Sequence, residues 1–453
     1  MLKRKAYEQL LKWKQHSKGK TALMLEGARR VGKSTLVAEF GRNEYSSCLL
    51  IDFFQATDEV KGYFRDYRTD FDTLFLYLST YYGVQLHDRN TLVVFDEVQM
   101  FPEARGLIKY LVADGRYDYI ETGSLLSIKQ NVQDIVIPSE EDSLELNPLD
   151  FEEFLWAMGE QQLSELIRRQ FKEAKPLPDG LHRRAMGLFR EYMLVGGMPE
   201  PVSIYVEQRQ FAPVDESKRR IVNLYRSDVA RFAHGYEFKV VSVLDGLAGQ
   251  LSKHEKRFLL SSLDKNARMR NYEEAFFWLA DARMANLCYA CADPAVGLSL
   301  NMKQSSLKCY MADTGLLVTL AFSDGRTTDE NVYRAVLRGD IGLNEGMLTE
   351  NIVAQMLRAN GHKLFFYSRS GHGEGDERME IDFLIVRPFA DAAMKPRVSP
   401  VEVKSPRQYG TTSLDRFAKR FGSRVGEQIV LHPKQLKTEQ GRIYLPLYMG
   451  FCL

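Results

Sequence analysis

Apolar and polar positions follow two periods along this chain, and the changes of period divide it. Thr21–Gly27 (TALMLEG), Ser47–Asp52 (SCLLID), Thr91–Asp96 (TLVVFD) and Tyr117–Thr122 (YDYIET) read as short strands, the first and third apolar enough to be buried on both faces. Between them, Phe71–Tyr82 and Ala104–Asp114 carry apolar residues at helical spacing. Strand alternating with helix predicts a mainly parallel sheet covered on both faces. Ahead of it, MLKRKAYEQLLKWKQHSKGK predicts an amphipathic helix with Leu10, Leu11 and Trp13 on its buried side.

The period then changes to 3.6 for a long stretch. Phe151–Phe171 reads as helix, followed by a break at Lys175–Gly180 (KPLPDG). His182–Leu194 is a second helix, closed by Gly196, Gly197 and Pro199, and Glu216–Phe232 is a third. From Val240 to about Leu320 the pattern is short helices followed by strands. Asn271–Ala285 has the length of a recognition helix, and Leu287–Ala290 and Leu307–Met311 read as the strands of a wing. Glu345–Ala359 is helical again, and Lys363–Ser368, Glu380–Val386 and Val401–Lys404 alternate as strands. Arg387–Pro400, with three prolines, reads as an irregular loop.

Composition narrows the class. The 453 residues predict two or three domains. A hydrophobic share of 45% and a charged share of 27% are those of a globular protein. The net charge of +1 argues against a surface coated in basic residues for nucleic acid, without excluding a local patch. No run of eighteen apolar residues predicts a membrane span. The basic start lacks the apolar core of a signal peptide, and the five cysteines read as reduced thiols, so a cytoplasmic location is expected. Cys288 and Cys291 have metal-ligand spacing, but no second pair follows at zinc-site distance; buried thiols are the expectation.

Two constellations carry chemistry. In the first, the strand Thr21–Gly27 runs into Gly27, Ala28, Arg29, Arg30, Val31, Gly32, Lys33 and Ser34, which match GxxxxGK[ST], and Thr35 opens a helix. Backbone N–H groups of such a loop curl round phosphates, and the helix dipole adds to the attraction. Lys33 is expected to reach the β- and γ-phosphates of ATP, and the Ser34 hydroxyl to face Mg²⁺. Thr91–Asp96 ends in the acid pair Asp96 and Glu97: Asp96 is the expected Mg²⁺ partner, Glu97 the base that positions the attacking water. Thr122 and Ser124, at the end of the next strand, are candidate sensors of the γ-phosphate.

In the second, Asp382 lies on one strand and Glu402 and Lys404, two apart, share a face of the next. An acid followed by Glu-x-Lys is the signature of the PD-(D/E)xK nuclease fold. Asp382 and Glu402 could hold Mg²⁺, Lys404 could orient water, and Glu350 could support them from the helix before.

The motifs GARRVGKST, LVVFDEVQ, ETGSLLS, LNPLDFEEF, GGMPE, KCYMADTGLL, GLNEGMLTENIVAQML, MEIDFLIV and VEVKS, in this order, also resemble a family. It comprises prokaryotic ATPases that join an AAA-like domain to a C-terminal domain of uncharted function (the AAA_14 plus DUF4143 arrangement). The expected fold is thus α/β: a P-loop NTPase core of AAA-like type over 1–145, a helical lid over 146–236, a winged-helix-like domain over 237–325, and a PD-(D/E)xK nuclease-like α/β domain over 326–453. The resemblance implies a Mg²⁺-dependent ATPase, in mobile-element or defence biology, whose nucleotide cycle controls the nuclease-like domain. Two alternatives stand beside it, an ATP-switched protein-interaction module that does not cleave and an ATP-regulated DNA-binding protein. ATP and ADP are the expected ligands, and DNA, a second copy of the chain or another protein the candidate partners. Tyr225, Asp228 and Arg231 share one helical side, and Arg226 or Arg231 could act on a γ-phosphate in this chain or a neighbour's. For DNA, the recognition-type helix is too acidic, with Glu273, Glu274 and Asp281 against Arg283; Lys253, Lys256, Arg257, Lys265, Arg268 and Arg270 beside it are the better surface.

Overall fold

The structure, a computed structural model, describes residues 2–123, 139–253, 257–260, 268–322, 325, 328–338, 345–369, 378–387, 397–404 and 410–453. The chain forms two compact units. One comprises Lys3–Asn147 and Asp281–Arg283, the other Pro148–Ala280 and Met284–Leu453.

The first unit is built on a parallel sheet of β1 (Ala22–Gly27), β2 (Ser47–Asp52), β3 (Thr91–Asp96), β4 (Asp118–Gly123) and β5 (Glu141–Leu146), in the order β2-β3-β4-β1-β5. β3 and β4 are buried along their whole length, as strands covered on both faces must be. Helices Lys33–Glu44, Phe71–Tyr82 and Pro102–Asp114 lie where the apolar periodicity changes. Asp70 starts the second of these by accepting the Thr73 N–H at 3.1 Å. Phe53, Phe64, Phe95 and Phe101 pack as one aromatic cluster, with ring centroids 5.3 to 5.9 Å apart. The leading helix, Lys5–Ser17, buries Ala6, Leu10 and Trp13, whereas Leu11 is only half-buried. β5 was not expected, since EDSLEL reads as solvated. It forms because it lies at the sheet edge beside β1 and because Arg105 joins Glu141 (3.0 Å) to the buried Glu121 of β4 (2.8 Å).

The second unit begins with helices Phe151–Ala157, Gln161–Glu173, Asp179–Val195, Pro199–Gln208, Phe211–Phe232 and Glu237–Leu251. The single helix expected over Phe151–Phe171 is two, because Gly159 turns the chain at φ +79°. Among the described residues its sheet holds eight strands: β6 (Ala285–Cys291), β7 (Met302–Met311), β8 (Leu364–Arg369), β9 (Met379–Arg387), β10 (Arg397–Val403), β11 (Gln428–His432), β12 (Lys437–Glu439) and β13 (Arg442–Pro446). Their order is β12-β13-β11-β10-β9-β8-β6-β7. The two strands read as a wing, β6 and β7, are therefore the end of the C-terminal sheet: β6 pairs with β8 in parallel, across the boundary expected at 325/326. The expected lid helices also pack with the C-terminal segment, through Phe151 against Phe451 (centroids 6.0 Å) and Gln355 donating to the Tyr192 hydroxyl (3.0 Å). β10 starts at Arg397, so part of the expected loop Arg387–Pro400 is strand, and 388–396 lie outside the described residues.

Candidate functional site

The P-loop geometry follows from its sequence. Gly32 sits at φ +96°, a left-handed conformation that glycine adopts without a Cβ penalty. A Cβ on Gly27 would stand 2.5 Å from the Leu146 carbonyl oxygen, so the loop can leave β1 beside β5 only as glycine. The helix then starts at Lys33. Its ammonium folds back over the loop, donating to the carbonyls of Gly27 (2.9 Å) and Ala28 (3.2 Å). Val31 is buried under the loop, while Arg29, Arg30 and Thr35 are exposed at its rim.

The acid pair lies beside this loop, as the parallel order requires. The Ser34 hydroxyl donates to Asp96 Oδ1 at 2.9 Å. Thr122, on β4 between β1 and β3, is fully buried; its hydroxyl donates to the same Asp96 oxygen and accepts the Glu97 N–H at 3.3 Å. Glu97 itself is left-handed (φ +52°), which costs a non-glycine residue about 1 kcal/mol or more and turns its side chain away from the strand line. Gln99 donates to the Glu97 carboxylate. Lys33, Ser34, Asp96, Glu97 and Thr122 thus gather at the carboxyl end of the sheet, where open α/β sheets bind ligands. Ser124 lies outside the described residues. The donor set fits a magnesium nucleotide: a hydroxyl and a carboxylate in contact, and an ammonium on a loop of backbone N–H groups.

The lid arginines have local partners. Arg226 pairs with Asp245 at 2.7 Å, and the Arg231 guanidinium lies 5.1 Å from the Phe232 ring centroid. Of the basic residues from 253 to 270, Lys256 and Lys265 lie outside the described residues.

The C-terminal constellation converges, with two members that spacing did not single out. Asp382 Oδ2 accepts the Val403 N–H at 2.8 Å, which sets it between Glu402 and Lys404, and Lys404 pairs with Glu402. The centre of the cluster is Lys308 of β7. This fully buried ammonium stands 2.9 Å from Glu350, 3.1 Å from Glu380 and 3.7 Å from Asp382. Tyr310 also donates to Glu350. Burial opposes the charge on Lys308, but Glu350, Asp382 and Glu380 outweigh it and hold its pKa well above the usual lysine value. Burial, then Glu350, push Asp382 up to about 8 against the pull of Lys308. Glu402 is raised by burial and lowered in part by Lys404.

The metal expected on Glu350, Asp382 and Glu402 does not fit this arrangement. Among the described residues no group of three or more His, Cys, Asp or Glu side chains is disposed to hold a metal ion. The reason is steric and electrostatic: the Lys308 ammonium takes the point between Glu350, Glu380 and Asp382, and Glu402 is paired with Lys404. Cys288 and Cys291 are free, buried thiols on β6.

Three of the quoted motifs prove to meet. Asn351 donates to the Met311 carbonyl (3.2 Å) and accepts its N–H (2.8 Å), and Gln355 accepts from both the N–H and the hydroxyl of Thr314 (2.8 Å each). Asp313 caps the helix Thr314–Ala321 by accepting the Leu316 N–H (2.9 Å) and also accepts the N–H of Gly197 (2.5 Å). KCYMADTGLL, GGMPE and the helix Glu345–Ala359 are thus one buried polar network.

Comparison with known proteins agrees with the order of these parts. Residues 19–155 match a family model described as an AAA domain (AAA_14). Residues 186–327 match a domain of unknown function (DUF8612), which spans the boundary expected between lid and winged helix. Residues 345–449 match another (DUF4143). Along the chain a match to an AAA domain is thus followed by matches to DUF8612 and then DUF4143. No curated protein matches it. Among solved structures it is similar to the Aeropyrum pernix ORC1 protein in complex with DNA (10% identity, 72% of this chain and 93% of that one, TM-score 0.28). It is also similar to Drosophila ORC bound to DNA (13%, 70% and 95%, TM-score 0.29). A third is AMPPCP-bound DnaA from Aquifex aeolicus (12%, 76% and 91%, TM-score 0.25). At such scores the likeness decides nothing about this chain. No helix among the described residues is long and apolar enough to cross a membrane.

Proposed function

We propose that the chain is a Mg²⁺-dependent ATPase whose nucleotide cycle controls its C-terminal α/β domain. The observation that carries this reading is the contact of Ser34 with Asp96 beside the Lys33-capped loop. Backbone N–H groups from Ala28 to Thr35 receive the phosphates. Lys33 would exchange its two carbonyl partners for phosphate oxygens, and Ser34 and Asp96 would hold Mg²⁺, which would supply neutralisation of phosphate charge. Glu97, held by its N–H on Thr122 and its carboxylate on Gln99, positions the attacking water and takes its proton. Glu97→Gln tests the assignment: it keeps the shape and removes the base, so nucleotide binding persists while turnover falls by about 10²-fold or more. Turnover at the wild-type rate would move the base elsewhere.

For the C-terminal domain, the ion pairs of Lys308 favour the second reading, a nucleotide-switched interaction module that does not cleave phosphodiesters. Its partner is then a protein or a second copy of this chain. DNA remains the partner of the third reading, through the basic segment 253–270. Plasmid and single-stranded DNA incubated with Mg²⁺, with and without ATP, separate the readings: cleavage lost in Lys404→Ala supports a nuclease, binding without cleavage supports the DNA-binding reading, and neither supports the interaction module.

A further inference from the structure

Lys308 was part of a motif whose chemistry the sequence left unexplained, and it sits where a nuclease of this signature would carry its metal. β7 is the end strand of the eight-stranded sheet, yet the sheet curls enough to bring the Tyr310 ring to 5.6 Å from that of Phe383 on β9. That curl delivers Lys308 Nζ into the space between helix Glu345–Ala359 and β9. Each carboxylate around it is already engaged. Glu350 has Lys308 and Tyr310, Glu380 has Lys308, Asp382 has Lys308 and the Val403 N–H, and Glu402 has Lys404. Lys308 has no exposed surface, so it cannot swing into solvent to vacate the position without opening the packing around it.

We infer that the Lys308 ammonium is a built-in substitute for the divalent cation of this acidic cluster, so that the C-terminal site takes no metal and joins β7, β9 and the helix Glu345–Ala359 by charge. Among the described residues the cluster holds four carboxylates against two ammonium groups, and of these two it is Lys308 that touches three of the acids. A lone divalent ion among these acids would need carboxylate oxygens at about 2.0–2.6 Å, closer than Lys308 allows while it stays. Removing the ammonium leaves three acids facing one another, a set that attracts a cation of the size and charge of Mn²⁺. The site is then latent: its ligands are present and its occupant is covalently part of the chain. This inference is independent of the ATPase reading, because it concerns the second unit alone.

The test is Mn²⁺ binding to the full-length, nucleotide-free protein, read by the loss of the free-ion electron paramagnetic resonance signal. In the wild type, Asp382→Asn is expected to leave Mn²⁺ uptake unchanged. Lys308→Met, which keeps the side-chain volume and drops the charge, is expected to take up one additional Mn²⁺ per chain and to melt at a higher temperature with Mn²⁺ than without. Asp382→Asn added to it should abolish both gains. Mn²⁺ bound by the wild type and lost in Asp382→Asn would overturn the inference, as would metal-dependent DNA cleavage lost in that variant. A folded Lys308→Met chain that gains no Mn²⁺ would overturn it too. Should Lys308→Met fail to fold, the wild-type comparison with Asp382→Asn still decides.

Discussion

A single hydroxyl connects the two acids of the nucleotide site. Thr122 donates to Asp96 and accepts from the Glu97 backbone, so it fixes the proposed Mg²⁺ partner and the proposed base at once. Removing it while keeping its shape leaves the partly buried Glu97 N–H without that acceptor and Asp96 without one donor. Thr122→Val is therefore expected to lower kcat about 10-fold with nucleotide affinity changed by less than about 3-fold, and Thr122→Ser to restore the rate; stopped-time phosphate release and equilibrium binding measure the two. Residue-level legibility differed between the two sites. Lys33, Ser34, Asp96 and Glu97 were readable because the loop and the strand end each carry their chemistry in a few consecutive residues. Lys308 and Glu380 were not, because what matters for them is a contact across 42 and 72 positions of chain, between strands whose neighbours only the sheet order reveals.

Between elements, buried polar groups join parts of the second unit that lie far apart in the chain. Asp313 binds the start of one helix to the loop that follows another, through Leu316 and Gly197. Asp313→Ala removes a cap worth about 0.5–2 kcal/mol and orphans a buried N–H at about 1–3 kcal/mol, so a loss of about 1.5–5 kcal/mol is expected in urea unfolding. Asp313→Asn, which retains one acceptor oxygen, should lose less. The strand boundaries of β2 and β3 and the helices Phe71–Tyr82 and Glu345–Ala359 follow the apolar pattern closely. β5 escaped it because its stability comes from Arg105 and an edge position rather than from apolar residues. The hairpin β6–β7 was legible as two strands and illegible as part of a sheet, since pairing with β8 depends on a strand more than fifty residues later.

For the whole molecule, acid sensitivity should reside in the second unit. Burial lowers His432 to about 4, and His182 is lowered by the same cause. A histidine depressed below its unfolded value of about 6.5 resists a proton that the unfolded chain accepts. Its contribution is thus complete above about pH 6.5 and is lost as pH falls toward about 4, where the loss levels off. Urea midpoints between pH 7 and 4.5 should fall more steeply in the wild type than in His432→Asn; parallel curves would contradict the assignment. The two units also divide the functional claims. The proposed hydrolysis concerns the first, which carries Lys33, Ser34, Asp96 and Glu97.

The most direct measurement of the central claim is Mg²⁺-dependent ATP hydrolysis by the full-length wild type and by Lys33→Ala. Lys33 caps the loop through Gly27 and Ala28 and is the cation proposed to meet the β- and γ-phosphates. The account predicts turnover in the wild type that stops when Mg²⁺ is chelated, and loss of nucleotide binding, of turnover, or of both in the variant. Turnover and affinity unchanged by Lys33→Ala would contradict it.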